Sequence, residues 1–557
     1  MKLMGAGTIL MAVLIISLSC AAAEPRVRLA ENGGLLVDGK PFLPIFVWAQ
    51  PMKLIEFHKG LGINTLHAGS KDDSPKELLD KLHAAGMFGW MNLNLMNPET
   101  VGHPAVLCWT SMHEYDSPQA PLYKADLGGN ATSLWIEGEQ PREHSFKQAG
   151  WLNVEKPQLS GGKWLVSSAA GKGKAVYEFT VEKAGTYNLW VREFYKTRAN
   201  PTRWTLDDQA PQETPRSLGT KESKGVAPSM AVGWGKYGTV ELSKGSHTLT
   251  LEVVPGQTQG GPGKEPNMKL TLWAVDVVCF TTAETYPPAL KGDYLPRRSP
   301  DEAAANLRKI READPKALAA LIFTGAIAEK VEGVAKQRIP ERTYKAFMDA
   351  ADVVTYDFYP SSGCNKPYRL PQTGLSCREL VSWAPRGKPV WAFIETGQIN
   401  NSFPSPTPEE MRAQIWSCIA NGAKGIGYFT VAFDPFRWTN FGEGIEGELK
   451  RSNAELAALA GPIVMGDTDK GLAVTGDEVD DRWALGHAIH AIRKDHEGKT
   501  YVIAVNVCRK AVTPMFRLEG VVADKAAVWK EDRTVALSDG AFNDTFEPLA
   551  VHIYTVP

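Results

Sequence analysis

The chain has 557 residues, too many for one hydrophobic core, so two to four domains are expected. Its composition, 43% hydrophobic and 22% charged, is that of a soluble globular protein. Lys+Arg number 61 against 63 Asp+Glu, a net charge of -2, which argues against the basic face that a nucleic-acid partner needs.

Residues 1–23 read as an export signal outside the fold. Lys2 gives a positive start, Gly7 to Leu18 is apolar, and Ala21-Ala22-Ala23 offers a cleavage site before Glu24. The run is short for a membrane span, and no other stretch could cross a bilayer. Ordinary cleavage, giving a secreted or periplasmic protein, is one reading. Lipid anchoring at Cys20, giving an outer-membrane lipoprotein, is the other, though Ser17 stands where such signals usually carry an aliphatic residue. Six cysteines remain after cleavage, too few and scattered for a disulfide scaffold. Cys364 and Cys377 fall in one loop and could pair in an oxidising compartment.

In chain order, Asp38-Gly39 marks a tight turn between short strands. Pro44 to Ala49, Ile63 to Ala68 and Met87 to Asn94 are the first three strands of an alternating pattern. Met52 to Leu61 has helical spacing, and Ser74-Pro-Lys-Glu77 opens a helix as a capping box with proline at its first position. Leu95 to Ala105 holds Pro98 and Pro104, so a full crossover helix does not fit there. The fourth strand ends at Glu114. From about Asp126 to Thr282 helical spacing gives way to alternating strands and Gly-rich turns, a β-sandwich. Ser299-Pro-Asp-Glu302 restores the helical pattern. A fifth strand (Ala317 to Phe323), a helical stretch broken near Pro340, a sixth strand (Val353 to Tyr359) and a short helix (Cys377 to Trp383) follow. The seventh strand runs from Val390 to Glu395, Thr407-Pro-Glu-Glu410 starts another helix, and Gly425 to Phe433 is the eighth strand.

Eight such strands close a (β/α)8 barrel. The expected domains are a barrel from 24–124 and 284–467, an inserted β-sandwich at 125–283, and a small C-terminal β-sandwich at 468–557. The insert follows strand four and so lies on the face of the barrel where active sites form.

Strands four and seven both stop on a glutamate, Glu114 and Glu395. Cleaving a glycosidic bond takes one carboxyl to protonate the leaving oxygen and a second to attack the anomeric carbon or activate water. Glutamates at these two strand ends resemble glycoside hydrolase clan A. The segment Trp109-Thr-Ser-Met-His-Glu114-Tyr-Asp116 is similar to the tryptophan-to-"Asp-Glu-Pro-Asp" strand of several clan members. The resemblance covers the barrel. It implies a retaining hydrolase of β-linked glycans, with Glu114 as acid/base, Glu395 as nucleophile, no cofactor for the chemistry, and an oligo- or polysaccharide substrate. His113 stands where the clan commonly has Asn, and Tyr115 where it has Pro. These departures favour a rival, a non-catalytic carbohydrate-binding barrel. An inverting hydrolase or a transglycosylase on the same scaffold is a second rival.

Around the mouth, His113, Asn92 and Gln398 are sugar-hydroxyl partners by residue type, and Tyr356 or Tyr359 could hold the nucleophile ionised. Trp48, Trp90, Trp109 and Trp438 sit at strand ends or following loops, where a sugar platform and core packing both use indoles. Phe429 occupies the eighth-strand position where the clan often places a platform aromatic. In the insert, Ile136 to Glu139, Phe179 to Arg192 and Leu242 to Leu251 resemble a jelly-roll carbohydrate-binding module. That resemblance implies a structural calcium held by Glu137, Glu139 and Asp276.

Overall fold

The computed structural model describes residues 26–68, 73–119, 131–146, 159–167, 173–194, 202–214, 220–224, 231–253, 273–286, 295–328, 339–399, 403–433, 436–468, 471–480 and 486–557. The expected export signal, with Cys20, lies outside them.

Eight parallel strands close a barrel: β1 (Ile45–Gln50), β2 (Thr65–Ala68), β3 (Phe88–Asn92), β4 (Val106–His113), β5 (Leu318–Phe323), β6 (Val353–Asp357), β7 (Val390–Glu395) and β8 (Ile426–Phe429). Side chains alternate between the axis and the surrounding helices, as the pleat requires. Phe46, Trp90, Cys108, Ile322, Val353, Trp391 and Phe393 pack on one another along the axis. Their neighbours in sequence, such as Val47, Met91, Trp109, Leu321, Val354 and Ile394, join the shell under the helices. Bulky rings fill the axis because Gly427 leaves room for them. A Cβ on Gly427 would lie 1.9 Å from Cε2 of Phe46.

The described helices are α1 (Ile55–Gly60), α2 (Pro75–Ala84), α3 (Pro300–Ala313), α4 (Glu341–Ala350), α5 (Leu370–Trp383), α6 (Pro408–Ala420), α7 (Ile445–Ala458) and α8 (Ala460–Met465). The three proline-headed starts form as the sequence expects. Ser74 and Ser299 each accept from the backbone N–H three residues on, and Thr407 with Glu410 completes a capping box. Between β3 and β4 there is only the 3-10 turn Leu93–Leu95. Helix α5 begins seven residues earlier than the sequence reading, with Pro371 in its first turn. Strand β6 stops at Asp357, two residues short of Tyr359. Strand β8 stops at Phe429, and Ala432–Phe433 pairs instead with Phe436–Arg437 as a hairpin.

The N-terminal hairpin closes the lower end of the barrel. Its turn, Asp38 (φ 49) and Gly39 (φ 77), has two left-handed residues, as a type I′ turn demands. Val27, Leu35 and Val37 pack onto the axial cluster. The insert leaves and re-enters through a two-stranded ribbon, Gln119 pairing with Leu295 and Pro118 with Pro296. It is a sandwich of a five-stranded and a six-stranded antiparallel sheet around its own core, which includes Tyr177, Leu189, Trp204, Leu251 and Trp273. After α8 a three-stranded and a five-stranded sheet enclose a third core around Phe516, Phe542 and Tyr554. Cys377 does not pair with Cys364. Its thiol is buried against Cys418 and Tyr356 between α5 and α6.

Gly427→Ala is expected to lower the barrel's stability by about 1–3 kcal/mol through overpacking against Phe46. A fall in the thermal midpoint with the far-UV spectrum unchanged is the measurement that checks it.

Candidate functional site at the barrel mouth

Strand β4 ends in a bulge against β5, and the chain then turns at Glu114 with φ 58. A left-handed glutamate costs about 1–2 kcal/mol. The turn is held on both sides: Glu114 N–H donates to the Ile322 carbonyl at 3.0 Å, and Ser117 N–H donates to the Glu114 carbonyl at 3.2 Å. Tyr115, in the place where the clan pattern has proline, is buried outside the barrel. Its hydroxyl meets Ser111 and accepts from Asn306 of α3 at 3.2 Å, and its ring packs on Phe347 of α4. The tyrosine thus clamps the end of β4 to two helices and turns Glu114 toward the mouth.

The loop after β5 touches two acidic residues, Asp116 and Asp357. Thr324 donates its N–H to Asp116 at 2.7 Å and its hydroxyl to the same group at 3.1 Å, and Tyr344 adds a third bond at 2.9 Å. Gly325 lies against the backbone of Asp357, where a Cβ would be 2.8 Å from the Asp357 carbonyl oxygen. Asp357 ends β6 on the axial side, in step with Val353. Burial pushes the Asp357 carboxyl well above the usual carboxylate range, and the charges of Glu114 and Asp116 push it further. Burial also raises Glu114, opposed by the nearby Arg297 guanidinium. Asp116 is pushed up to about 7, mainly by burial. Glu114 and Asp357 therefore lie within each other's electrostatic reach, at the ends of β4 and β6.

Aromatic and imidazole rings wall this pair. Trp48 Nε1 donates to His113 Nε2 at 3.0 Å, so the His113 proton sits on Nδ1. Burial lowers His113 to about 4 and His67 well below its ordinary value, so both stay neutral. The Trp48 ring stacks on Phe429 at 4.9 Å and lies parallel to His67 at 6.3 Å. Tyr359 packs on Phe429 at 5.2 Å and lies within the field of Asp357, Glu114 and Glu395. Asn92 reaches the Ala68 carbonyl at 3.3 Å and bonds His67.

Glu395, the nucleophile the sequence suggests, is enclosed at the end of β7. It is 0% exposed, and both its oxygens are occupied. Ser361 N–H and Gln414 Nε2 each donate to Oε1 at 3.0 Å, while Ser362 N–H and its hydroxyl each donate to Oε2 at 2.7 Å. This carboxylate pins the β6–α5 loop and α6 to the end of β7, and it faces no open space. Other expectations also shift. Tyr356 points out of the barrel and donates to the Thr373 carbonyl of α5 at 2.5 Å, so it does not touch Glu395. Trp109 is buried under the helices with its Nε1 donating to Asp314 at 3.0 Å, and Trp90 is axial core. Gln398 and Trp438 accept through their backbone carbonyls, from Asn440 and from Gln50 and Thr430 respectively.

Sequence reasoning missed Asp357, His67 and the aromatic hairpin after β8. Phe433 and Phe436 are 53% and 54% exposed and pair across that hairpin, beside Phe429 and Trp438. The alternation Val353-Val-Thr-Tyr-Asp357 carried the signal for Asp357. Its odd positions belong to the axis.

In the insert, Glu137 Oε1 accepts from Trp135 at 3.0 Å and Ser160 at 2.8 Å. Oε2 of Glu137 and Oε2 of Glu139 are buried without a hydrogen-bond donor, close to Gly161. Two such orphaned oxygens fit a hard cation. Asp276 lies within the field of Glu137 but is already partnered. It pairs with the buried Arg192 and accepts from Ser160 N–H at 2.9 Å, so its charge is already used. A calcium here would be held by Glu137 and Glu139, and it would brace the loop around Gly161 against the first strand of the insert.

The sequence matches no family model and no curated protein. Among solved structures it is similar to a noncanonic maltogenic alpha-amylase, AmyB, from Thermotoga neapolitana, at 10% identity and a TM-score of 0.35, covering 92% of this chain and 98% of that one. It is similar to an alpha-amylase from Anoxybacillus at 11% identity and a TM-score of 0.32, covering 46% of this chain and 56% of that one. The chain therefore spans little more than half the length of the Anoxybacillus enzyme. A CBM35 from Cellvibrio japonicus Abf62 matches 29% of this chain over 100% of its own, at 11% identity and a TM-score of 0.20. Superpositions this slight do not bear on activity.

Two outcomes test these assignments. Glu395→Gln turns an amide N–H₂ toward donors and is expected to cost about 2–4 kcal/mol of barrel stability, read by denaturant unfolding. Calcium is expected to raise the thermal midpoint of the wild type, and the Glu137→Gln, Glu139→Gln pair is expected to abolish that response.

Proposed function

We propose that the chain is an exported glycoside hydrolase that cleaves β-linked glycans at the barrel mouth, with Glu114 and Asp357 as its two carboxyls. The observation that carries the reading is this interacting pair, held at the ends of β4 and β6 on either side of the Thr324–Gly325 loop. Two carboxyls in one site separate into an acid and a base when their surroundings push their pKa values apart. Asp357, raised by its enclosure and by two other acids, keeps its proton and is assigned to protonate the leaving oxygen. Glu114, with Arg297 favouring its charged form, is assigned to attack the anomeric carbon. In that scheme the C1–oxygen bond breaks as the Glu114–C1 bond forms, and the Asp357 proton leaves with the aglycone. Water then releases the sugar with retention. The roles differ from the sequence expectation, where Glu114 was the acid and Glu395 the nucleophile. The exposed Phe433 and Phe436, with Trp438, supply apolar surface on which a sugar ring could stack.

A second reading, a carbohydrate-binding barrel without catalysis, is favoured by the sealed state of Glu395. The experiment that separates them is hydrolysis of a polysaccharide and aryl-glycoside panel, with the product anomer read by NMR. Glu114→Gln and Asp357→Asn are each expected to lower kcat/KM by at least about 100-fold while substrate still binds. Activity is expected to fall as pH rises through the elevated Asp357 value, because the acid form is lost, and to fall again at low pH as Glu114 is protonated. Wild-type protein that binds glycans but hydrolyses none of them, or activity undiminished in both variants, would remove the reading.

A further inference from the structure

At the opposite end of the barrel a cavity of 760 Å³ opens beneath the C-terminal five-stranded sheet. The loops that enter β7 and β8 supply Arg386 and Lys424, α5 supplies Arg378, and the sheet strand Ile489–His496 supplies His490 and Lys494. The acids facing the same space are Glu31 and Asp467, so five permanent or titratable cations meet two carboxylates.

Two of these groups are deeply buried and keep N–H donors that no hydrogen bond fills among the described residues. Lys494 is 4% exposed, runs along Gly466, and its amine makes no hydrogen bond among the described residues. His490 is 7% exposed. Its Nδ1 meets Ser417 Oγ at 2.7 Å and Asn421 Nδ2 at 3.0 Å. With Nδ1 accepting, the proton sits on Nε2, which has no partner among the described residues. Lys424, by contrast, is fixed in the wall by the carbonyls of Asn32 at 2.5 Å and Val464 at 3.0 Å. Asp467 acts on the Lys494 ammonium through its charge but does not hydrogen-bond it, so the buried N–H donors are left unfilled. A folded protein that keeps Lys494 and His490 in this state has donors prepared for something negative.

We propose that this cavity is a binding site for a phosphate or sulfate group, free or carried on a small sugar. Lys494, His490 and the two arginines would supply its N–H donors, with charge-assisted bonds to the tetrahedral oxygens. The volume suits a monosaccharide ester as well as the bare ion. Burial brings Lys494 down to about 8 against the pull of Asp467, and burial with the charge of Lys494 brings Lys424 down to about 7. An anion restores their charge, so binding takes up protons and weakens as pH rises from 6.5 to 9. The other titratable groups on the cavity wall are His490, which burial keeps neutral, and the acids Glu31 and Asp467.

Calorimetry on the full chain, with inorganic phosphate, sulfate, glucose 6-phosphate and glucose 6-sulfate, tests the site. Glucose and sodium chloride at matched ionic strength are the controls. The expected result is saturable binding of at least one oxyanion, with proton uptake, weakened about tenfold or more in Lys494→Met and in Arg378→Gln with Arg386→Gln. The exposed arginines keep the test valid should the Lys494 variant fail to fold. Tighter binding of an ester than of its bare ion assigns the site to a sugar ester, and equal binding assigns it to the free anion. Heats no larger than those of chloride, or binding undiminished in both variants, would overturn the proposal.

Discussion

The pleat of a closed barrel assigns every strand residue to one of two environments, and most of the chemistry here follows from that assignment. Along β6, Tyr356 faces α5 and Asp357 faces the axis, although they are neighbours. Along β7, Trp391 and Phe393 fill the axis while Ala392 and Ile394 meet the helices. A closed sheet has no edge at which this alternation can relax. The bulge between β4 and β5 shifts the register once, and it falls next to the left-handed turn that carries Glu114.

Much of this was legible in the chain. The proline-headed helix starts at Ser74, Ser299 and Thr407, the short apolar strands and the loss of helical spacing in the insert are local signals with local causes. They placed the barrel and both sandwiches. The site was legible only in part. Glu114 was found because a strand runs straight into it. Asp357 was hidden between two aromatic residues that drew the eye, although its parity with Val353 pointed to the axis. The fate of Glu395 could not be read locally. Its four donors come from Ser361, Ser362 and Gln414, residues up to 34 positions away that only folding brings together. The pairing of Asp276 was hidden for the same reason, since Arg192 is a partner 84 residues distant.

The departures from the clan pattern also gain a physical account. Tyr115 replaces a rigid ring with an anchored one: its hydroxyl and ring fix the strand end through Ser111, Asn306 and Phe347. His113 is held neutral and in one tautomer by Trp48, which leaves its Nδ1–H as a fixed donor. The strand end is thus braced by the side chains on either side of Glu114.

The ribbon that joins Gln119 to Leu295 has a bearing on how such a molecule could arise. Because the chain departs and returns at adjoining backbone positions, the whole jelly-roll occupies what the barrel experiences as a single tight loop. Excision between these points would leave the ends already side by side, and the barrel wall would not have to part. A gene acquiring or shedding this cassette would therefore pass through intermediates that still fold, so the modular join is as much a route of descent as a piece of architecture.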